Sequence, residues 1–319
     1  MRRLGGLVLI LVLLAAALAA WSYAGRGPSS KPVDVVLPKG GGVRRIAGAL
    51  KDAGVIRSQT AFLVAARLTG AAGRLKAGEY EFAAGASTAS VLSDIAAGRF
   101  VRHVVVVPEG WTSAMAADAV RAAALLNGDV ETPPEGALLP DGYQYQRGED
   151  RGAVLARMMK ARDDLVAQLW AARSPDLPLK TPQEAVTLAS IVEKETGVPA
   201  ERPRIAAVFE NRLRAGMKLE SDPTVIYGVS KGRALGRGLT RSELETPTPY
   251  NTYAIVGLPP TPIANPGRAA LRAVLDPPKS DELYFVANGT GGHVFASTYA
   301  EHQANVAKWR AIEKARAGK

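Results

Sequence analysis

Hydrophobic and polar positions along the chain change period several times, and each change marks an element. From Leu4 to Ala24 no charge interrupts an apolar run, about the ~20 residues a helix needs to cross a bilayer. "GRGPSSKP" (25–32) follows as a polar linker. "VDVVL" (33–37) then alternates as a strand and meets the turn "PKGGG". Val43, Ile46, Ala47, Leu50 and Ala53 recur at helical spacing, and Gly54 closes that helix. Ser58 is placed to cap a second helix running to about Leu68, and "AGEYEF" (77–82) returns as a strand.

The first of these patterns recurs. "VVLPKGGGVRRIAGAL" at 35–50 aligns with "VVVPEGWTSAMAADAV" at 105–120, each a strand meeting Pro, a charged residue and Gly before an amphipathic helix. This similarity suggests a duplicated strand–turn–helix module. Residues 128–152 are rich in turn formers, after which Val154, Leu155, Met158, Leu165 and Leu169 restore helical spacing between Arg151 and Arg173. "SPDLPLKTP" (174–182) breaks the chain again. Beyond it the pattern predicts helices separated by long Pro- and Gly-rich loops, a hairpin around Leu283 to Phe295, and a basic carboxy-terminal helix bearing Lys308, Arg310, Lys314 and Arg316. The expected fold class is α+β.

Composition changes this picture at the amino terminus. Arg2 and Arg3 precede the apolar run, which orients a spanning helix with its amino end in the cytoplasm and the rest of the chain exported. A cleaved signal peptide is the competing reading, with alanines crowding 15–20, although signal cores usually run only ~7–15 residues. With 319 residues, 47% of them hydrophobic and 22% charged, the chain is long enough for about two globular domains. It contains no cysteine, so an exported domain must rely on an ordinary core, without disulfide or thiol chemistry. The formal charge of +10 would suit nucleic acid, but an exported chain with no long basic run or binding motif argues against that partner. Anionic lipid headgroups, an anionic envelope polymer, or plain solubility account for it better.

The chemistry concentrates in "ASIVEKETG" (189–197). Thr181 reads as an N-cap, with Pro182 at the first helical position and Glu184 completing a capping box. Gly197 stands where a left-handed C-cap would fall, and Pro199 prevents continuation, so the helix is expected over 182–196. On the wheel Glu195 lies near Leu188, Ile191 and Val192, whereas Glu193 lies near Ala189 and Ser190, and Lys194 points toward solvent. Apolar burial and the negative end of the helix dipole both favour a protonated Glu195, the state a general acid requires. An ion pair with Arg202 or Arg204 is the structural alternative.

Downstream, "FENRLRAGMKLESDPTVIYG" (209–228), "TPTPYNTYAIVGLPPTPIANPG" (246–267) and "LYFVANGTGGHVF" (283–295) follow in order. With "LASIVEKETG", these motifs resemble the endolytic murein transglycosylase family, also called YceG-like proteins. The resemblance runs from the apolar segment to about Trp309 and is strongest from Leu188 to Phe295. It implies a single inner-membrane anchor, a LysM-like amino-terminal α/β region, a catalytic domain on the periplasmic side, and association with peptidoglycan synthases. It also implies cleavage of the β-1,4 bond after N-acetylmuramic acid, leaving a 1,6-anhydro end and terminating strand elongation. The catalytic residue it implies is the second glutamate of E-K-E-T, Glu195. Where the family commonly shows an aromatic residue and "PDTY", this chain reads "LLPDGYQY", with Leu139 and Gly142 as the departures. No cofactor is implied.

Most glycosidases use two carboxyl groups. With one, Glu195 must first protonate the glycosidic oxygen and then accept the proton of the muramyl C6 hydroxyl. Glu193, two residues away, diverges around the helix. Candidate substrate contacts are Asp222, Thr224, Tyr250, Asn251 and Tyr253. Asp222-Pro223 reads first as a helix N-cap with Pro at the first helical position, and "YNTY" offers either sugar-binding groups or packing. His293 stands beside a Gly-rich turn, and no metal-ligand spacing accompanies it. The expected organisation is a cytoplasmic stub and anchor (1–25), a linker (26–32), a LysM-like region with two strand–turn–helix units (33–125), and a helix-rich catalytic domain with a small hairpin (126–319). A non-catalytic glycan-binding scaffold is the rival from another class, and a hydrolytic muramidase differs only in admitting water to C1.

Overall fold

The computed structural model describes residues 2–317, with side chains from 9 to 316. The stub residues Met1 to Arg3 and the start of the apolar run therefore fall wholly or partly outside the described residues. Among those described, no helix is long and apolar enough to cross a membrane. The fold is mixed α+β and mostly helical, with three two-stranded sheets among the described residues.

In chain order the elements are α1 (Arg2–Ala24), β1 (Val33–Leu37), α2 (Gly42–Asp52), α3 (Gln59–Leu68), β2 (Gly78–Phe82), α4 (Thr88–Ala97), β3 (His103–Val106), α5 (Ser113–Ala122) and β4 (Gly142–Tyr145). There follow α6 (Arg151–Ala171), α7 (Pro182–Glu195), a 3-10 turn (Pro199–Glu201), α8 (Arg202–Arg214), α9 (Asp222–Ser230), α10 (Arg241–Glu245), α11 (Arg268–Leu275), β5 (Tyr284–Ala287), β6 (His293–Ala296) and α12 (Tyr299–Ala317). The chain forms two compact units, one of Met1–His103 with Gln144–Gly148, the other of Val104–Tyr143 with Glu149–Lys319.

In the first unit β1 and β2 pair antiparallel, Val33 opposite Phe82 and Leu37 opposite Gly78. Alternation turns Val35, Leu37, Tyr80 and Phe82 inward, where they meet Ile46 and Leu50 of α2, Phe62 of α3 and Ile95 of α4. The tight passage from β1 to α2 needs left-handed backbone at three successive residues, Gly40, Gly41 and Gly42 (φ 69°, 112° and 65°), which only glycine adopts freely. Ser58 caps α3 as expected, its hydroxyl accepting from the Ala61 amide at 3.2 Å. The second copy of the sequence repeat also folds as strand, turn and helix, β3 followed by α5, and α5 belongs to the second unit.

The second unit is built around α7. Its apolar residues from Ala185 to Val192 are buried against α6, α8 and α11, in one core with Ile205, Phe209, Leu271 and Val274. Leu139, where the family pattern has an aromatic residue, lies fully buried in this core. The carboxy-terminal hairpin pairs Tyr284 with Ala296 and Ala287 with His293.

Candidate functional site

The sequence around α7 specifies its start closely. Thr181 Oγ1 accepts from the Glu184 amide (3.1 Å) and the Glu184 carboxylate accepts from the Thr181 amide (3.3 Å). The other end differs from expectation, because Gly197 does not adopt a left-handed cap. Instead Thr196 is extended (φ −139°, ψ 136°). Its hydroxyl donates to Glu201 Oε2 (3.1 Å) and accepts from the Val198 amide (2.9 Å), so a side chain stops the helix where glycine was expected to.

The two glutamates then part. Glu193 is the more buried residue, the reverse of the order its helical position suggests. The cause lies in other elements. Arg202 Nη2 donates to Glu193 Oε1 (2.9 Å) and the Gly267 amide donates to Oε2 (2.9 Å), closing over a position that the helix itself leaves open. Glu109 approaches the same guanidinium at 3.6 Å. The ion pair with Arg202 thus belongs to Glu193. Both Glu193 oxygens are engaged, and neither meets Glu195.

Glu195 keeps part of its surface open, yet its carboxyl is crowded by protein. Its partner is Ser221, whose hydroxyl donates a hydrogen bond to Glu195 Oε1. Desolvation pushes the Glu195 carboxyl up to about 7; the Ser221 bond and the Arg212 charge pull downward, and the Asp222 charge adds to the rise.

Ser221 is delivered by a loop with little freedom. Buried Arg212 donates through Nη1 to the carbonyls of Lys218 (3.1 Å) and Leu219 (3.0 Å) and to Glu220 Oε2 (3.1 Å), and through Nε to the Leu283 carbonyl (2.7 Å). Glu220 adopts φ 54°, a left-handed conformation that persists for such a residue only when its surroundings impose it. Thr252 completes the clamp, its hydroxyl accepting from the Ser221 amide (2.9 Å) and its carbonyl from the Glu220 amide (3.1 Å).

The candidate contacts separate into two groups. Thr224 is fully buried, donating to the Ser221 carbonyl (2.7 Å) and lying 2.8 Å from the Thr252 hydroxyl. Asn251 is likewise buried. Its amide donates to the carbonyls of Leu244 (2.9 Å) and Thr246 (2.8 Å), while its oxygen accepts from the Tyr253 amide (2.9 Å). Both are thereby engaged in shaping loops rather than free to meet a sugar. Tyr250 is half-buried, its hydroxyl 2.8 Å from that of Thr261 and its ring beneath Lys231.

Asp222 and Tyr253 stand on the open side. Asp222 is exposed at the start of α9, and its carboxylate accepts from the Tyr253 hydroxyl (2.7 Å). Ser221, not Asp222, occupies the N-cap, and neither caps through its side chain as the helix-start reading of Asp222 had it. Tyr253 is held protonated, its pKa raised by burial first and then by Asp222 and Glu195.

The sequence profile of the YceG-like family matches residues 35–308. The chain belongs to the YceG-like family. An endolytic murein transglycosylase of Bacillus subtilis (strain 168) is 30% identical over 308 residues, covering 86% of this chain and 84% of that protein. The endolytic murein transglycosylase of Streptococcus pneumoniae serotype 2 (strain D39) is 29% identical over 333 residues, and the match spans 59% of its length. A crystal structure of a YceG-like protein from Listeria monocytogenes is similar at 29% identity with a TM-score of 0.55, covering 86% of this chain and 99% of that one.

Within this YceG-like site, sequence reading missed Ser221 and Arg212, and it left His293 without a partner. His293 Nδ1 in fact lies 2.8 Å from Glu201 Oε2, the same oxygen that meets Thr196. The hairpin is thus tied to the residue that ends α7. What the arrangement offers chemically is one carboxyl group poised between its protonated and ionised forms near neutral pH. One of its oxygens is fixed by Ser221, which leaves Oε2 to exchange a proton.

Proposed function

We propose that this protein is a lytic transglycosylase acting on peptidoglycan, with Glu195 as acid and then base. The observation that carries the reading is the single carboxyl held by Ser221, raised to about 7, with Glu193 occupied elsewhere. Membership of a family whose relatives are named endolytic murein transglycosylases supports the substrate class.

In the first half of the reaction Glu195 Oε2 gives its proton to the oxygen between muramyl C1 and the next sugar. The C1–O bond breaks, its electron pair stays on the leaving oxygen, and that sugar departs with a hydroxyl. In the second half the Glu195 carboxylate takes the proton of the muramyl C6 hydroxyl as O6 bonds to C1. The acid is regenerated, the product carries a 1,6-anhydro bridge, and no water is consumed. A group near pKa 7 serves both halves at neutral pH. Asp222 and Tyr253 lie on the open side, where they can meet the sugar.

We also propose that α1, whose apolar run from Leu4 to Ala24 begins ahead of the residues with described side chains, anchors the chain in the inner membrane, with the second unit outside the cytoplasm. In support, Leu9 to Leu14 are each more than half exposed on the described part of α1, an apolar surface that water does not favour. Mass spectrometry of glycan strands incubated with the full chain tests the activity. Anhydro-muramyl ends support it, and reducing ends or intact strands overturn it. Amino-terminal sequencing of the membrane fraction tests the anchor, and a start near Ser22 or Gly25 overturns it.

A further inference from the structure

Beside the end of α7, on the Lys194 side, lies a cavity of about 400 Å³ that the reaction above does not use. Its size falls in the roughly 300–1,000 Å³ range of small-ligand pockets. Its apolar walls include Trp111, Ile226 and Ile263, and Lys194 and Arg233 also line it, while no Asp or Glu does. Lys194 reaches only the Gly110 carbonyl, at 3.5 Å. Among the described residues, neither Lys194 nor Arg233 forms an ion pair with a carboxylate, although the unit is crossed by Arg–Glu bridges.

The wall that carries Arg233 is a built feature. Lys231 and Gly232 both adopt left-handed backbone (φ 52° and 82°). A Cβ on Gly232 would lie 2.0 Å from Thr112 Cγ2, so only glycine lets this loop seat against α5's cap. Lys194 precedes Glu195 in the chain, and Pro223 of the lining follows Asp222. The cavity thus borders the chain neighbours of Glu195 and Asp222.

We propose that this cavity binds the acidic stem peptide borne by the muramyl residue that Glu195 attacks, an inference that rests on the transglycosylase reading. The peptide hangs from the sugar's lactyl group, next to the bond broken. Its carboxylates match the two unpaired cations and its short aliphatic side chains match the apolar walls. The glycan itself supplies no group of that charge at that reach once the lactyl carboxyl is in amide linkage.

The test titrates a disaccharide tetrapeptide into the full chain carrying Glu195→Gln, which binds without turnover. Parallel titrations use the same compound with its peptide carboxylates amidated, and the disaccharide without peptide. The intact compound should bind on the order of five- to tenfold more tightly than either, as two exposed ion pairs allow, and the gap should shrink with salt. Lys194→Ala with Arg233→Ala, and separately Arg233→Glu, should bring the ratio toward one while thermal melts stay at the parent value. Equal affinity for all three compounds, or a ratio untouched by both sets of substitutions, overturns the proposal. Anhydro-end release by the unsubstituted chain is followed alongside. Its absence would defeat the transglycosylase reading, whereas release together with equal affinities would defeat the stem-peptide site alone.

Discussion

Ser221 and Glu195 stand 26 residues apart in sequence, and the serine hydroxyl donates directly to Oε1 of the glutamate. That bond fixes which oxygen is free and holds the carboxyl at an angle set by the Arg212-clamped loop. It also favours ionisation, against the burial that opposes it. Ser221→Ala should therefore move the Glu195 pKa further upward and shift the base-dependent limb of the pH–rate profile to higher pH. Activity near neutrality should drop by roughly tenfold, consistent with the loss of one hydrogen bond to a charged group. Ser221→Thr should restore part of it. An unchanged pH profile in a folded Ser221→Ala protein would show that the bond has no part in catalysis.

Glu195→Gln keeps the shape and an acceptor for Ser221 but has no proton to give. Release of anhydro ends should fall by about 10²–10⁴-fold with folding intact. Glu193→Ala should behave in the opposite way. It removes the closer carboxylate of the half-buried Arg202 guanidinium, leaving it only Glu109 at 3.6 Å, and the acceptor of the Gly267 amide, which destabilises by on the order of 2 kcal/mol, while the folded fraction keeps most of its specific activity. Thermal melts paired with product analysis separate the two effects.

Local spacing makes α7, its capping box and the two glutamates visible, because capping and helical periodicity act within a few residues. It does not reveal which glutamate is covered, since Arg202 and Gly267 arrive from elsewhere in the chain. Nor does it foresee that Thr196 ends the helix in place of Gly197, a choice made by Glu201 and the backbone beyond. Thr224 and Asn251 show a related limit. A polar residue in a loop looks the same whether it faces a ligand or satisfies buried carbonyls, and only the folded loop distinguishes the two.

Asn251 gives that distinction a direct test. Its amide serves backbone carbonyls of the 243–246 segment, and its oxygen serves the Tyr253 amide. Asn251→Ala would take the partner from part-buried carbonyls of this segment and from the Tyr253 amide, a total loss on the order of 1–3 kcal/mol. Tm should fall by several degrees. Stabilised by low temperature, the remaining folded enzyme should bind glycan with little change in KM. A large rise in KM without a fall in Tm would instead make Asn251 a substrate contact.

The pH dependence of stability should be dominated by Glu210, a residue outside the proposed mechanism. Its side chain is fully buried, only Oε2 has a partner (Arg214 Nη2, 3.2 Å), and Oε1 has none. Desolvation raises its pKa to about 8 from the ordinary carboxylate value of 4.5, against the opposing charge of Arg214. A folded-state pKa above the unfolded one means that the native state holds this proton more tightly. Its contribution is fully present below about pH 4.5 and is lost as pH rises through about 8. Glu210→Gln keeps a neutral side chain of the same size at every pH. The variant should therefore match the parent in Tm near pH 4.5 and exceed it near pH 9, by on the order of 3 kcal/mol in unfolding free energy. Glu195 titrates in an overlapping range, so the comparison is made between chains that both retain it. Differential scanning calorimetry from pH 4.5 to 9 reads the difference, and a parent-minus-variant Tm that does not change with pH would show that Glu210 is already ionised in the folded protein.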